Sequence, residues 1–148
     1  MIKKYFVLIL FFSFQHLHSA DRSEILFAMD KYNEAFILAD YDQIIENFTF
    51  PVSIITSERM LSIDTKFGLR FVYKNIIGDL PEFYSYSKWN KIDIQVMDKN
   101  IAIVRASFSR YNKDEKKIYD GSGIYQLKKI DKVWKIFSLI PFQSIETL

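Results

Sequence analysis

The apolar residues of this chain change period once, and that change restricts the fold more than any other feature. Up to Leu80 they recur at intervals of three, four and seven; from Lys91 onward they alternate. Ile25, Ala28, Met29, Tyr32, Phe36 and Ala39 form one stripe, which predicts a helix over residues 21–39. Asp21 or Ser23 can cap it, and Glu24 stands three after Asp21 as in a capping box. Asp40 is placed to cap a short second helix in which Tyr41, Ile44, Ile45 and Phe48 repeat the spacing. Residues 50–56 are rich in β-branched side chains and carry Pro51 near their start, the pattern of an edge strand. A turn at 57–59 and a return strand at 60–63 follow. Asp64 or Thr65 then caps a third helix with Leu69, Val72, Tyr73, Ile76 and Leu80 on one face, ended by Gly78 and Pro81.

Beyond Lys91, Ile92, Ile94 and Val96 alternate with polar residues, and Ala102, Val104, Ala106 and Phe108 form one face of the next strand. Turns are expected at 98–100, 112–117 and 131–132. Residues 118–129 read as a long strand whose Gly121 and Gly123 suggest a bulge or sharp bend. The last strand, 133–142, places Trp134, Ile136 and Ile140 on one face. Helices first and a meander of strands after them predict an α+β roll, with three N-terminal helices packed on a strongly bent antiparallel sheet.

The N-terminus predicts export. Lys3 and Lys4 precede an apolar run over residues 5–14, a polar stretch follows, and Ala20 offers a small residue for cleavage. The run is shorter than the roughly 17–25 apolar residues of a spanning helix, so residues 1–20 read as a signal peptide and 21–148 as one domain. A periplasmic or secreted location follows, with no membrane span after cleavage. Lys3 and Lys4 account for the whole formal charge of +2, which leaves the remainder balanced and gives no general attraction to nucleic acid. His16 and His18 are the chain's two histidines and there is no cysteine. The domain after residue 20 therefore has neither imidazole nor thiolate, and no metal or other cofactor is expected. Calcium, which needs only oxygen ligands, is the least firmly excluded.

Three stretches carry a resemblance to a known family. They are "YNEAFILADYDQIIENF" (32–48), "FTFPVSIIT" (48–56) and "GIYQLKKIDKVWKIFSLIPF" (123–142). With the element order, they resemble the nuclear transport factor 2-like superfamily, the cone-shaped α+β roll that includes ketosteroid isomerases and polyketide cyclases. The resemblance implies a cone with an enclosed interior and a homodimer, and it implies no particular reaction.

Enzymes of that superfamily place an aspartate inside the cone, often with a tyrosine or histidine. Asp93 falls on the polar face of its strand, and Asp40, Asp64, Asp98, Asp114 and Asp131 fall at caps and turns. Asp120 is the one strand carboxylate with apolar alternate neighbours, and its place beside the charged hairpin reads as solvated. Tyr32, Tyr73 and Ser138 are the polar side chains expected to reach the interior and contact a ligand. Trp89 is expected at the cavity mouth or in the helix–sheet seam. Arg105 shares a strand face with Ile101, Ile103, Ser107 and Ser109, and is expected at an interface with a second subunit. The functional expectation is a non-enzymatic domain that binds a small apolar or amphipathic ligand, or an interaction module. The alternative is an isomerase, cyclase or dehydratase that uses tyrosine hydroxyls and a lone carboxylate.

Overall fold

The computed structural model describes residues 21–143, and the signal expected at residues 1–20 lies outside the described residues. Helix α1 spans 21–37, and Ala39, with φ of 51°, turns the chain out of it two residues earlier than its stripe suggested. Helix α2 is Tyr41–Glu46; the Asp40 carboxylate accepts from the Gln43 amide at 3.1 Å and supplies its cap. Helix α3 is Lys66–Gly78, and its cap is Thr65, whose hydroxyl accepts from the Gly68 amide. The strands are β1 Phe48–Ile55, β2 Met60–Ile63, β3 Tyr84–Asp98, β4 Ile101–Asn112, β5 Lys117–Ile130 and β6 Val133–Phe142.

They form one six-stranded sheet in the order β2-β1-β6-β5-β4-β3, strongly curled but open. The sheet is mixed rather than antiparallel throughout, because β1 runs parallel to β6. This pairing joins the early strand pair to the late meander, and it also moves Pro51 off the edge. The proline is tolerated there because the β1–β6 register skips from Phe48 to Ser53 and the β1–β2 ladder starts at Val52. No ladder amide is required of residue 51.

The helices cover the concave face. Ile25, Met29, Ile44, Leu69, Val104, Leu127, Trp134 and Ile136 interlock into the core at the narrow end of the cone. A fully buried aliphatic side chain of this kind contributes roughly 1.5–3 kcal/mol. Lys129 on β5 ties down the first turn of α1, pairing with Asp21 at 2.9 Å and Glu24 at 2.7 Å. Further along α1, Asn33 donates to the Ser87 carbonyl on β3. Among the described residues no helix is long and apolar enough to cross a membrane.

Gly121 and Gly123 make room and mark no bulge. The β4–β5 register runs through both without a shift, and neither has positive φ. A Cβ on Gly121 would lie 2.5 Å from the Phe108 ring and 2.6 Å from Tyr119, and one on Gly123 would crowd Tyr125 at 3.0 Å. The two glycines let three aromatic rings lie on the sheet.

Candidate functional site

Toward its wide end the cone holds a cavity of about 540 Å³, bounded by α1, α3, the β1–β2 hairpin and the concave faces of β4, β5 and β6. Tyr32, Phe36, Tyr73, Phe108, Tyr125 and Leu139 make most of its inner wall, and Thr56, Arg59, Asn75 and Asp79 bring polar groups to its lining. Its size falls within the roughly 300–1,000 Å³ of small-molecule sites, and a mostly apolar lining with few polar groups is their usual character. Another hollow, of about 500 Å³, lies outside α1 near the β5–β6 turn. Glu24, Lys31, Glu46, Lys132 and Lys135 line it, as in a solvated groove.

Tyr32 and Tyr73 reach the cavity from α1 and α3, and their hydroxyls bond to each other at 2.9 Å. Tyr32 also meets Phe48 and Tyr125 edge to face, with ring centres 5.8 and 5.9 Å apart. Burial pushes the phenols of Tyr32, Tyr73 and Tyr125 well above the ordinary tyrosine range; the Arg110 charge pulls the other way on Tyr32 and Tyr125. All three stay protonated at neutral pH. They can donate a hydrogen bond and do not act as bases.

Ser138 lies elsewhere. The β5–β6 register steps from Gln126↔Ser138 to Leu127↔Ile136, which makes Phe137 an extra residue on β6. That step puts Leu139 and Pro141 on the cavity wall in place of Ser138 and Ile140. Ser138 pairs with Ser53 and Gln126, buried and in phase with the outer face. Asp120 also faces outward, held by Lys117 at 2.7 Å and Ser109 at 2.5 Å, and these two bonds keep its carboxyl below the usual range. Arg105 is exposed on the outer face, opposite Asp93 on β3 and Ile124 on β5. Trp89 packs in the seam, edge-on to Phe108 and Tyr125.

The residue that sequence reasoning missed is Arg110. It shares the phase of Ala102, Val104, Ala106 and Phe108 and so points inward at the end of β4. Its guanidinium lies over the rings of Tyr119, Phe108 and Phe36, at 5.0, 5.3 and 5.6 Å. Among the described residues no carboxylate pairs with it. Following the alternation two residues past Phe108 would have found it.

Tyrosine burial has a consequence at high pH. The unfolded chain ionises its tyrosines near pH 10, while the folded chain holds Tyr32, Tyr73 and Tyr125 protonated. Rising pH therefore favours only the unfolded state. The stability linked to these groups is whole below about pH 10 and is lost above it, by up to about 1.4 kcal/mol per tyrosine per pH unit. Urea unfolding at about pH 9 and about pH 11 should show this loss. The Tyr32→Phe/Tyr73→Phe variant should show less of it.

A curled α+β sheet with three helices closing a tyrosine-lined cavity defines the cone-shaped class of small α+β domains. The chain belongs to the family described as NTF2-like protein (DUF6841), whose model matches residues 23–144. No curated protein matches the sequence. Among solved structures, a protein of unknown function with a cystatin-like fold from Nostoc punctiforme is similar at a TM-score of 0.70 and 14% identity, over 87% of this chain and 96% of that one. A putative scytalone dehydratase from Novosphingobium aromaticivorans is similar at 0.71 and 14% identity, over 88% and 89%. A ketosteroid isomerase-like protein from Erwinia carotovora is similar at 0.61 and 19% identity, over 80% and 92%. These likenesses establish the fold.

Proposed function

We propose that the chain is an exported, homodimeric domain that binds a small apolar or amphipathic molecule in the cone cavity without transforming it. The observation that carries this reading is the 540 Å³ cavity with its largely aromatic and aliphatic wall. Export to the periplasm or beyond rests on the N-terminal pattern of residues 1–20. The dimer rests on the outer sheet face, where Ile103, Ile124 and Ile140 stay half-buried around the exposed Arg105 while the helices pack on the opposite side.

A second reading is a dehydratase- or isomerase-type enzyme. The Tyr32–Tyr73 hydroxyl pair in the cavity wall favours it, as does the fold's likeness to a putative scytalone dehydratase. The carboxylate available to it is Asp79, exposed at the end of α3. Tyrosines held protonated serve as donors and leave the base to a solvated carboxylate, so binding is the better supported use.

Native mass spectrometry of the chain purified from its own host tests the parts together. The expected species is a dimer of chains that begin near Asp21 and retain a small molecule. A membrane-fraction protein that keeps Lys3 and Lys4 would contradict export. Arg105→Glu sets a second carboxylate opposite Asp93 and should shift dimer toward monomer with unchanged circular dichroism. Were the face open to solvent, that change would cost within about 0.5 kcal/mol and leave the oligomeric state as it was.

A further inference from the structure

We infer that the ligand carries a carboxylate, and that a recess formed by Arg110 and Trp89 in the wall of the cone receives it. The inference rests on the cone being a ligand site. The recess has a volume of about 40 Å³ and shares Tyr32, Phe36, Phe108, Arg110 and Tyr125 with the main cavity. Water occupies about 30 Å³ of its own liquid, so the recess takes a head group of a few atoms and leaves an apolar body to the larger space.

Among the described residues, the buried nitrogens left without a partner in the recess are both donors. Arg110 Nε and Trp89 Nε1 are both buried and neither has a hydrogen-bond partner among the described residues. Guanidinium and indole nitrogens donate and never accept, so the recess offers at least two donors to an acceptor. Of the other polar groups there, the Asn33 amide donates to the Ser87 carbonyl, the Ser87 hydroxyl bonds to Tyr84 at 2.9 Å and Tyr32 bonds to Tyr73, while the Tyr125 hydroxyl is a further group able to donate. Arg110 is half-buried among rings, no carboxylate of the described residues pairs with it, and a charge withdrawn even partly from water gains from an opposite one. Phe36, Phe108 and Tyr119 contact its face and help fix its plane, and a planar fork of donors suits a carboxylate.

The test uses neutral aminoanthracene as a fluorescent occupant of the cavity, displaced by matched pairs of compounds. Naphthoic, cinnamic and decanoic acids are each compared with their primary amides, which keep the carbonyl and lose the charge. On the unaltered protein at least one acid should displace the probe at roughly tenfold lower concentration than its amide, as expected of a charge-assisted hydrogen bond. Arg110→Met should bring each acid level with its amide, and Trp89→Phe should narrow the gap. Equal displacement by acids and amides on the unaltered protein would overturn the inference and leave the cavity reading standing. A gap that persists in a folded Arg110→Met variant would also overturn it. An unaltered protein that binds no aminoanthracene would overturn the cavity reading, and the inference with it.

Discussion

Trp134→Ala is expected to lower stability by about 3–5 kcal/mol, the usual cost of truncating a large buried aromatic. The side chain is 3% exposed and lies at the narrow end of the cone among Ile136, Leu127 and the residues of α1. Lys129 stands opposite it in the β5–β6 register, with its ammonium 5.5 Å from the ring centre. The same ammonium holds Asp21 and Glu24, so losing the ring also loosens the anchor of the first helical turn. Among the described residues Trp134 Nε1 is buried without a hydrogen-bond partner. Trp134→Phe removes that unsatisfied donor along with some volume and should cost much less than the alanine change. Denaturant titrations of the two variants give both values, and a loss below about 1 kcal/mol for Trp134→Ala would contradict this account of the core.

Gly121→Val should cost about 1–3 kcal/mol by overpacking. The site has ordinary strand geometry, so the backbone accepts valine and the penalty comes from side chains. The Phe108 and Tyr119 rings stand where the new Cβ must go, at 2.5 and 2.6 Å. Phe108 is part of the wall of both the cavity and the recess, and it contacts the Arg110 guanidinium. The variant should therefore lose affinity for a cavity ligand as well as stability. Gly78→Val, at a glycine with nothing within 4 Å of its Cβ position, is the control for side-chain crowding. There valine is the better helix former and the backbone has no positive φ, so the change should cost nothing and gain a few tenths of a kcal/mol at most. Equal losses at the two glycines would refute the steric explanation.

The helices were legible because each buries a single stripe, and a stripe survives small errors in its ends. The caps at Asp40 and Thr65 were legible for a local reason, since a cap bonds within three residues of itself. The β1–β6 pairing was not, because its partners are 85 to 88 residues apart and parallel contact leaves no turn to read. Strand facing failed wherever the ladder slips. One extra residue at Phe137 turned Ser138 outward, and irregularities at Ser85 and Asn90 concealed the first half of β3, so that strand begins at Tyr84 rather than Lys91. The inward facing of Tyr32 and Tyr73 was legible because they sit on helical stripes. Arg110 was overlooked because a charge at the end of a strand reads as a solvated tip, whereas its phase places it inside.

The central claim, that the cone cavity is the ligand site, is tested most directly by titrating aminoanthracene into the unaltered protein and into Val72→Trp. Val72 is half-buried on α3 and forms part of the cavity wall, so a tryptophan there occupies the space without touching the core at the narrow end. The account predicts saturable binding by the unaltered protein and loss of most of that binding in the folded variant. Equal binding by both proteins, or none by the unaltered one, would contradict it.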